Sequence, residues 1–389
     1  MKILMTLESS FPPDKRVENE IDTLLDEGHD IHILCTGISG ALKNDSYKTA
    51  TIHRVFPSVL IRKSSVAALK VPVYFSYWKA RIRKVLKAHN FDVVHIHDLP
   101  LIKPVLQLRK IYDFKVVLDL HENWPALLDV SLHTKTFTGK ILCSIPQWKN
   151  YERKYLPRAD KIIVVVEEAK ERLLNLQIPG NKIIIVSNTL NINEHRIIEN
   201  DKEKTGGKKV IIYEGGITFH RGIQFVLKAI SHIDTAARDL EFWIIGKGSY
   251  MEKLKKMSAD LKLDHIVKFM GWQEQESVFE LVNKADIAVI PHIKSEHTDT
   301  TVPHKLFHYM YAGLLILASD CVPLARIIKE TSAGYIYQYN NTGQLADLLI
   351  RYASAEKKTK TNPARAWINK EYNWDKDAQQ LINLYRSLS

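Results

Sequence analysis

The chain of 389 residues is 45% hydrophobic and 25% charged, and its formal net charge at pH 7 is +11. This length predicts two domains, and the composition is ordinary for a soluble globular protein. The excess of Lys and Arg favours anionic partners, such as phosphates or acidic lipid surfaces.

The cysteines are few, odd in number and far apart, at Cys35, Cys143 and Cys321. They form neither a disulfide framework nor a zinc-binding spacing, which fits a reducing compartment. No apolar run is long enough to cross a bilayer, and the chain begins directly with a predicted strand. We therefore expect a cytoplasmic protein without a signal peptide.

The N-terminal segment predicts a βαβ unit. Residues 3–7 favour a strand, Asp14 favours the N-cap of a helix that Gly28 ends, and residues 31–35 favour the next strand. This order indicates a parallel sheet. The loop after a first parallel strand often binds a ligand, but here it lacks the G-x-G-x-x-G pattern, which disfavours a dinucleotide site.

A basic and aromatic stretch follows. Residues 46–91 contain no Asp or Glu, and their middle carries Tyr74, Phe75, Tyr77 and Trp78 among many Lys and Arg residues. Such a composition suits a helix lying on an anionic membrane. A solvated helix with core aromatics is the alternative. Nucleic-acid binding is disfavoured because no recognisable module accompanies the charge.

Two buried strands then end in polar residues. Residues 91–97 lead into Asp98, and residues 116–120 lead into His121 and Glu122. The carboxyl ends of neighbouring parallel strands are where open α/β sheets bind ligands, so we expect a catalytic or substrate-binding role for His97. A metal site from His95, His97 and Asp98 is conceivable, but histidine pairs on strands are more often hydrogen-bonded structure.

The βα pattern restarts after a polar, charged stretch at 191–209, which we interpret as a linker. The strand 210–213 is followed by Gly215 and Gly216, which allow close approach of a ligand, and by Arg221, which suits a phosphate. Further strands lead into Gly246 and Lys247 and, later, into Trp272.

Residues 298–313 predict a loop feeding a short helix. Thr301 is a candidate N-cap, Pro303 suits the first turn, and Gly313 can end the helix in a left-handed conformation. A polar loop at a helix N-terminus is a ready anion site, although an ordinary αβ unit has the same pattern.

The sequence thus predicts an α/β protein with two doubly wound, Rossmann-like domains facing a cleft. The predicted bounds are 1–190 for the first domain, 210–372 for the second domain, and 373–389 for a C-terminal helix packing back on the first domain. Asp375-Lys376-Asp377 matches a metal-binding D-x-D pattern. However, acidic residues in the first turn of a helix interact favourably with the positive end of the helix dipole, which favours a structural role.

The chain resembles the GT-B glycosyltransferases of the retaining group-4 family, also called glycosyl transferases group 1. The segments 11–18, 95–98, 215–222 and 303–313 carry the resemblance, with Arg221 in the place of the usual Lys. Thr300 and His308 stand where the family commonly has paired Glu residues, and Gly216 replaces its Arg.

The resemblance implies transfer of a sugar from a nucleoside diphosphate, with a UDP-sugar favoured, to a glycan or lipid-linked acceptor in cell-surface polysaccharide or glycolipid biosynthesis. It implies no metal cofactor and no nucleic acid, and it allows peripheral contact with the inner face of a membrane. The residues that it implies are catalytic His97 and Asp98, acceptor-side Arg16, His121 and Glu122, and donor-side Gly215, Gly216, Arg221, Gly246, Lys247, Trp272, Thr301, Pro303, His304, Lys305, Leu306 and His308. A non-catalytic GT-B-like binding protein and a sugar-nucleotide epimerase are the alternatives.

Overall fold

A computed structural model describes residues 1–38, 40–194, 208–233, 240–353 and 363–388. The described chain divides into two compact units, residues 1–188 with 375–389 and residues 189–374. Residues 195–207, which form most of the predicted linker, lie outside the described residues.

The first unit is built on an eight-stranded sheet with the order β3-β4-β2-β1-β5-β6-β7-β8. Only the β3–β4 pairing is antiparallel. Its elements are β1 (Lys2–Ser10), α1 (Lys15–Asp26), β2 (Asp30–Thr36), β3 (Asn44–Tyr47), β4 (Ala50–Val55), α2 (Val59–Ser64), α3 (Val73–Ala88), β5 (Val93–His97), α4 (Ile102–Leu108), β6 (Lys115–Leu120), α5 (Trp124–Val130), α6 (Phe137–Leu142), α7 (Ile145–Tyr155), β7 (Lys161–Val164), α8 (Glu167–Asn175) and β8 (Ile183–Ile185).

The second unit has a six-stranded, parallel sheet with the order β11-β10-β9-β12-β13-β14. Its elements are β9 (Lys209–Glu214), α9 (Ile223–Ser231), β10 (Leu240–Ile245), α10 (Met251–Asp260), β11 (Val267–Gly271), α11 (Gln275–Lys284), β12 (Ile287–Ile290), α12 (Lys305–Tyr311), β13 (Leu315–Ser319), α13 (Val322–Thr331), β14 (Gly334–Tyr337), α14 (Thr342–Ala353) and α15 (Pro363–Lys370).

Each sheet reverses its direction of winding at one place, which confirms the predicted doubly wound α/β class. The reversal lies between β1 and β5 in the first unit and between β9 and β12 in the second. Ligands of open α/β sheets bind at the carboxyl ends of the strands that flank such a switch point. The loops after β1, β5, β9 and β12 are therefore the candidate ligand-binding loops.

Local sequence explains why α1 begins where it does. Asp14 takes an extended backbone, and its carboxylate accepts from the Val17 N–H at 3.3 Å. Glu18 reaches back to accept from the Asp14 N–H at 3.1 Å. These bonds satisfy free backbone donors of the first turn. The predicted N-cap is confirmed.

The predicted start of α12 is wrong. Thr301 has an extended backbone with φ −146°, at the end of a short 3₁₀ turn, and the helix begins only at Lys305 with His304 as N-cap. Pro303 disfavours helical geometry in the residue before it, so the helix starts after the proline. The end of the helix is as predicted, because Gly313 has φ 69°.

Three of the four central aromatic residues of the basic stretch belong to the core. Tyr74, Phe75 and Trp78 lie on the buried face of α3, and Trp78 is only 1% exposed. The interpretation of these rings as membrane-facing is therefore wrong, whereas Arg83 and Lys87 on the opposite face are exposed. Among the described residues, no helix combines the length and the apolar character needed to cross a membrane.

The last helix, α16 (Trp374–Arg386), belongs mainly to the first unit. Asp377 accepts from the Ser187 N–H at 2.9 Å, and the Tyr385 hydroxyl forms a 2.8 Å hydrogen bond with His95 Nδ1. Asp375 and Asp377 lie in its first turn, where their charges face the positive end of the helix dipole.

Candidate active site

The first unit carries a buried ion pair beside its switch point. The guanidinium of Arg16, from α1, donates to both carboxylate oxygens of Asp119, from β6, at 2.8 and 3.0 Å. It also donates to the carbonyl oxygens of Val186 and Ser187 at 3.0 and 3.1 Å. Such a two-pronged pair fixes orientation as well as charge. Arg16 therefore ties α1 to the far strands of the sheet.

Two histidines extend this pair toward the sheet edge. His121 Nε2 lies 2.7 Å from a carboxylate oxygen of Asp119, and His97 Nδ1 lies 3.1 Å from His121 Nε2. His97 is 4% exposed, and its Nε2 atom has no hydrogen-bond partner among the described residues. A buried polar atom without a partner is costly unless a ligand or water satisfies it. His97 therefore has an atom ready for a substrate.

The charges in this network compensate one another. Burial alone would lower the pKa of His121, but the carboxylates of Asp119 and Asp98 outweigh burial and raise it to about 10. Burial would raise the pKa of Asp119, but Arg16 and His121 hold it well below its usual range. Burial lowers the pKa of His97. At neutral pH His97 is thus neutral and His121 is charged.

The other predicted residues of this unit lie close by. Asp98 has a left-handed backbone, with φ 65°, and its carboxylate accepts from the His121 N–H at 3.2 Å. Burial raises the pKa of Asp98. Glu122 follows His121 directly after β6 and is partly buried. The structure thus brings together the catalytic and acceptor-side residues that the sequence predicted.

A metal is conceivable deeper in this network. Glu20, His95, His97 and Asp119 each offer one ligand atom, and these atoms lie within 4.8 Å of one another. However, Arg16 already occupies both oxygens of Asp119 and lies 3.2 Å from Glu20 Oε1. A fixed guanidinium charge opposes a cation at this position. The chemistry of the donor set therefore favours the guanidinium in place of a metal.

The second unit has a tightly built loop after β9. Gly215 and Gly246 have positive φ angles of 112° and 134°, which other residues rarely adopt. A Cβ atom on Gly246 would lie 1.9 Å from the carbonyl oxygen of Gly215, whereas a Cβ on Gly216 would meet nothing within 4 Å. Gly246 is therefore explained by backbone packing, and Gly216 faces open space.

Two cations lie beside this loop. Lys305 is 8% exposed, its Nζ donates to the carbonyl oxygen of Glu214, and it lies 3.7 Å from the centroid of the Tyr213 ring. Burial, followed by the charge of Arg221, lowers the pKa of Lys305 well below its usual value. Arg221 lies 3.3 Å from His292 Nε2 and is paired with no carboxylate in the part of the chain that the structure describes. Arg221 is thus the cation of this edge that is available to pair with an anion.

His308 has a partner that the sequence did not reveal. Its Nδ1 lies 2.9 Å from Glu214 Oε1, at the end of β9. Burial would raise the pKa of Glu214, but His308 and then Lys305 outweigh it and lower the pKa. A carboxylate therefore supports the imidazole that stands in one place of the family's Glu pair. Thr300, at the other place, donates its hydroxyl to the carbonyl oxygen of Glu296 at 2.7 Å.

The remaining donor-side predictions fall into three groups. Lys247 lies 5.2 Å from the ring centroid of Trp272, which is 53% exposed, so this pair offers an accessible aromatic face. Leu306 is fully buried and its N–H donates to the Pro303 carbonyl, so its role is packing. The predicted residues Thr301, Pro303 and His304 form the loop that leads into α12.

Sequence reasoning missed several residues of these sites. Asp119 lies inside a strand, and the sequence indicates it only as part of a hydrophobic run. Glu214 ends β9 and Glu8 lies within β1, although the sequence predicts both in the loops that follow these strands. Burial raises the pKa of Glu8 to about 8, and Tyr74 donates to it. A carboxylate within or directly after a buried strand was the available signal, because an unpaired buried charge is costly.

Two protein-family models match this chain. The family model described as Glycosyltransferase Family 4 matches residues 15–194, and the model described as Glycosyl transferases group 1 matches residues 194–374. The first match covers most of the first unit, and the second match covers almost the whole of the second unit.

Similar full-length proteins agree. An uncharacterized glycosyltransferase of Methanocaldococcus jannaschii is 21% identical over 375 residues, covering 93% of this chain and 91% of the relative. A phosphatidyl-myo-inositol mannosyltransferase of Mycolicibacterium smegmatis is 20% identical, covering 100% of this chain and 94% of that protein. The crystal structure of HepE from Anabaena in complex with UDP-glucose superposes with a TM-score of 0.75 at 13% identity, covering 100% of both chains.

The structural likeness establishes the fold, and the two family models establish the chemistry. Because these models span both units, the chain is a glycosyltransferase of the group-4 family with the GT-B fold.

Proposed function

We propose that the protein transfers a sugar from a UDP-sugar to a hydroxyl group of a glycan or lipid-linked acceptor, with retention of the anomeric configuration. The observation that carries this proposal is the pair of cations at the β9 edge. Lys305 is buried beside Arg221, and Arg221 has no carboxylate partner among the described residues. A diphosphate supplies the negative charge that such a pair needs.

The donor class draws further support from the comparisons. HepE of Anabaena, which has the same fold, was crystallised with UDP-glucose. The name of the mycobacterial relative states that it transfers mannose to phosphatidylinositol, which is a lipid acceptor. The lipid acceptor in the name of that relative supports our proposal of a role in cell-surface polysaccharide or glycolipid synthesis.

The chemical problem in this reaction is the charge of the leaving group. The bond between the sugar C1 and the diphosphate oxygen breaks, the acceptor oxygen bonds to C1 on the same face, and the acceptor proton passes to the departing diphosphate. Arg221 and Lys305 stabilise the growing negative charge on the diphosphate. These fixed charges perform the task that a metal ion performs in other transferases, so we expect no metal requirement.

Neighbouring residues suit the rest of the nucleotide. His308 can both donate to and accept from a ribose hydroxyl, and Glu214 at 2.9 Å fixes its orientation. The exposed face of Trp272 offers a platform for the base, with Lys247 beside it.

The first unit supplies the acceptor-side groups. His97 is neutral and buried, and its Nε2 atom, without a protein partner among the described residues, is free to bind a sugar hydroxyl. Arg16 and Asp119 hold the neighbouring His121 in place. Because the Asp119 carboxylate is already paired with Arg16 and His121, the task of this network is positioning rather than charge stabilisation.

We also propose peripheral contact with an anionic membrane through one face of the first unit. Leu60 on α2 and Phe137 on α6 are 79% and 81% exposed, respectively. Lys70 donates to the carbonyl oxygen of Ile141 and so connects the segment before α3 to α6. Exposed apolar side chains among Lys and Arg residues suit an acidic lipid surface.

Vesicle sedimentation tests this contact. The double variant Leu60→Ser, Phe137→Ser should bind anionic vesicles more weakly than the wild type, and Lys256→Glu on the second unit serves as the charge control. If the wild-type protein stays in the supernatant at low salt, the membrane proposal fails while the donor proposal stands.

A thermal-shift panel tests the donor proposal. UDP, GDP, ADP and CMP are compared with their common sugar conjugates, and the unfolding temperature should rise for UDP and rise further for one UDP-sugar. Proton NMR of the transfer product should then show the anomeric configuration of the donor. No shift with any nucleotide would overturn the donor proposal.

A further inference from the structure

A cluster of three histidines lies in the first unit, away from the residues discussed so far. His32 is in β2, His53 is in β4, and His89 follows the last turn of α3. Because His32 pairs with Thr51 and Leu34 pairs with His53, the first two rings project from the same face of the sheet. His89 then approaches that face from the end of the helix.

The three rings are in mutual contact. The centroid of the His32 ring lies 5.2 Å from that of His53 and 4.7 Å from that of His89, and the centroids of His53 and His89 lie 6.0 Å apart. One nitrogen from each ring lies within 4.8 Å of the other two. Three imidazoles from three separate elements thus converge on one point.

The spacing of two of these nitrogens suits a shared metal ion. His32 Nδ1 lies 2.9 Å from His53 Nε2. With Zn–N bonds of about 2.0–2.1 Å, two ligand nitrogens at a tetrahedral zinc ion lie about 3.3 Å apart. If these two nitrogens move slightly apart, a metal ion can therefore replace the proton that the two rings share. His89 is partly exposed at the end of its helix, and one of its nitrogens lies within 4.8 Å of a nitrogen of each of the other two rings.

The other nitrogen of His32 has the surroundings of a metal ligand. His32 Nε2 lies 3.5 Å from a carboxylate oxygen of Asp30, which is itself held by Lys2 at 3.0 Å. A carboxylate behind a ligating histidine fixes the ring and strengthens its bond to the metal. The chain thus provides both the ligands and one supporting group.

We propose that His32, His53 and His89 bind a divalent transition-metal ion, with Zn²⁺ as the first candidate, through three imidazole nitrogens. The site lies outside the sugar-transfer chemistry, which needs no metal there. Three neutral nitrogens suit Zn²⁺, Ni²⁺ or Cu²⁺ rather than Mg²⁺ or Ca²⁺, which prefer oxygen. A fourth position remains for water or an anion.

The surrounding charges define which fourth ligand is favoured. His53 and His89 line a pocket together with Lys43, Arg81 and Lys84. These cations oppose a bare divalent ion but attract an anion, so an anionic fourth ligand would balance the site.

Equilibrium dialysis of the full-length, chelator-treated and reduced protein against Zn²⁺ alone tests the proposal. Elemental analysis should find one zinc per chain that is lost from both His53→Ala and His89→Ala. Asp30→Asn should weaken binding about 10- to 100-fold. His265→Ala, which removes an exposed histidine of the second unit, should bind as the wild type does.

Substitution with Co²⁺ provides a second readout, because tetrahedral Co²⁺ bound by histidine has visible absorption that the free ion lacks. This absorption should appear with the wild type and not with His89→Ala, whose fold is checked by circular dichroism. Absence of zinc binding by the folded wild type would overturn the proposal. Equal zinc binding by the wild type, His53→Ala and His89→Ala would overturn it as well, because the ion would then lie elsewhere.

Discussion

The charged side chains at the edges of the two sheets differ in how they are paired. At the edge of the first unit, Arg16, Asp119 and His121 form a closed network in which each charge has a partner within 3 Å. At the edge of the second unit, Arg221 has no carboxylate partner among the described residues, and Lys305 is buried beside it.

This difference indicates a division of tasks. A network in which the Asp119 carboxylate is already paired with Arg16 and His121 holds His97 in a fixed position. A guanidinium that has no carboxylate partner among the described residues, as is the case for Arg221, favours an incoming anion. The second edge is thus suited to a diphosphate and the first to a neutral hydroxyl or sugar. The predictions below test this contrast, from the largest expected effect to the smallest.

Breaking the network in the first unit should cost stability. Arg16→Met leaves Asp119 buried without its guanidinium, and loss of one partner of a buried pair costs about 3–5 kcal/mol. Urea unfolding measures this loss. Arg109→Met removes the more exposed pair with Asp160, and there the cost should stay below about 1 kcal/mol. Equal losses in the two variants would contradict the contrast.

Removing a cation from the second unit should instead cost catalysis. Lys305→Met should lower kcat with the UDP-sugar about 100-fold, because one stabilising group at the leaving diphosphate is lost. Lys268→Met, which removes a surface cation paired with Glu241, is the control. A kcat unchanged by Lys305→Met would place the diphosphate elsewhere.

Lys305 also predicts a proton linkage. In the free protein burial lowers its pKa, and a bound diphosphate should raise it, so UDP binding should take up a proton between those two pKa values. Affinity should therefore fall as pH rises through this window. Calorimetry in buffers of different ionisation enthalpy measures the uptake, which should disappear in Lys305→Met.

The partner of His308 should have a smaller effect. Glu214→Gln keeps the shape but removes the charge that orients the imidazole, and a charge-assisted hydrogen bond contributes about 1.5–3 kcal/mol. We expect UDP to bind about tenfold more weakly. Glu241→Gln in the same unit should bind UDP as the wild type does. Unchanged affinity in Glu214→Gln would remove His308 from the ribose site.

The pH dependence of stability tests the first unit through a single titrating group, His121. The pKa of His121 is raised to about 10 in the folded protein, from an ordinary value of 6.5. Its contribution is fully present below pH 6.5 and is lost as pH rises toward 10. Thermal unfolding should therefore show falling stability over this range, and His121→Gln should flatten the fall. A slope that His121→Gln leaves unchanged would contradict the raised pKa.

The fold followed from the sequence because strong, local signals coincide. Short apolar runs alternate with amphipathic helices, and residues such as Asp14 and Gly28 mark the ends of helices. The start of α12 was missed because two local signals competed there. Thr301 suits an N-cap, but Pro303 excludes a helical residue before it, and the proline prevailed.

The sequence indicates where the candidate site residues lie along the chain, but it does not indicate how they pair. His97 and His121 stand at strand ends, which sequence shows directly. His121 contacts His97, and Glu214 contacts His308. These contacts join residues from separate segments of the chain, and they depend on the order of the strands in each sheet. The same limit explains why Tyr74 and Trp78 were interpreted as a membrane face, since burial depends on what packs against a helix.

The most direct measurement is calorimetric titration of UDP into the wild type, Arg221→Ala and His97→Ala. Our account predicts binding to the wild type, at least about 100-fold weaker binding to Arg221→Ala, and unchanged UDP binding to His97→Ala, which nevertheless loses turnover. Equal UDP affinity in the wild type and Arg221→Ala would contradict the assignment of the diphosphate to the second unit.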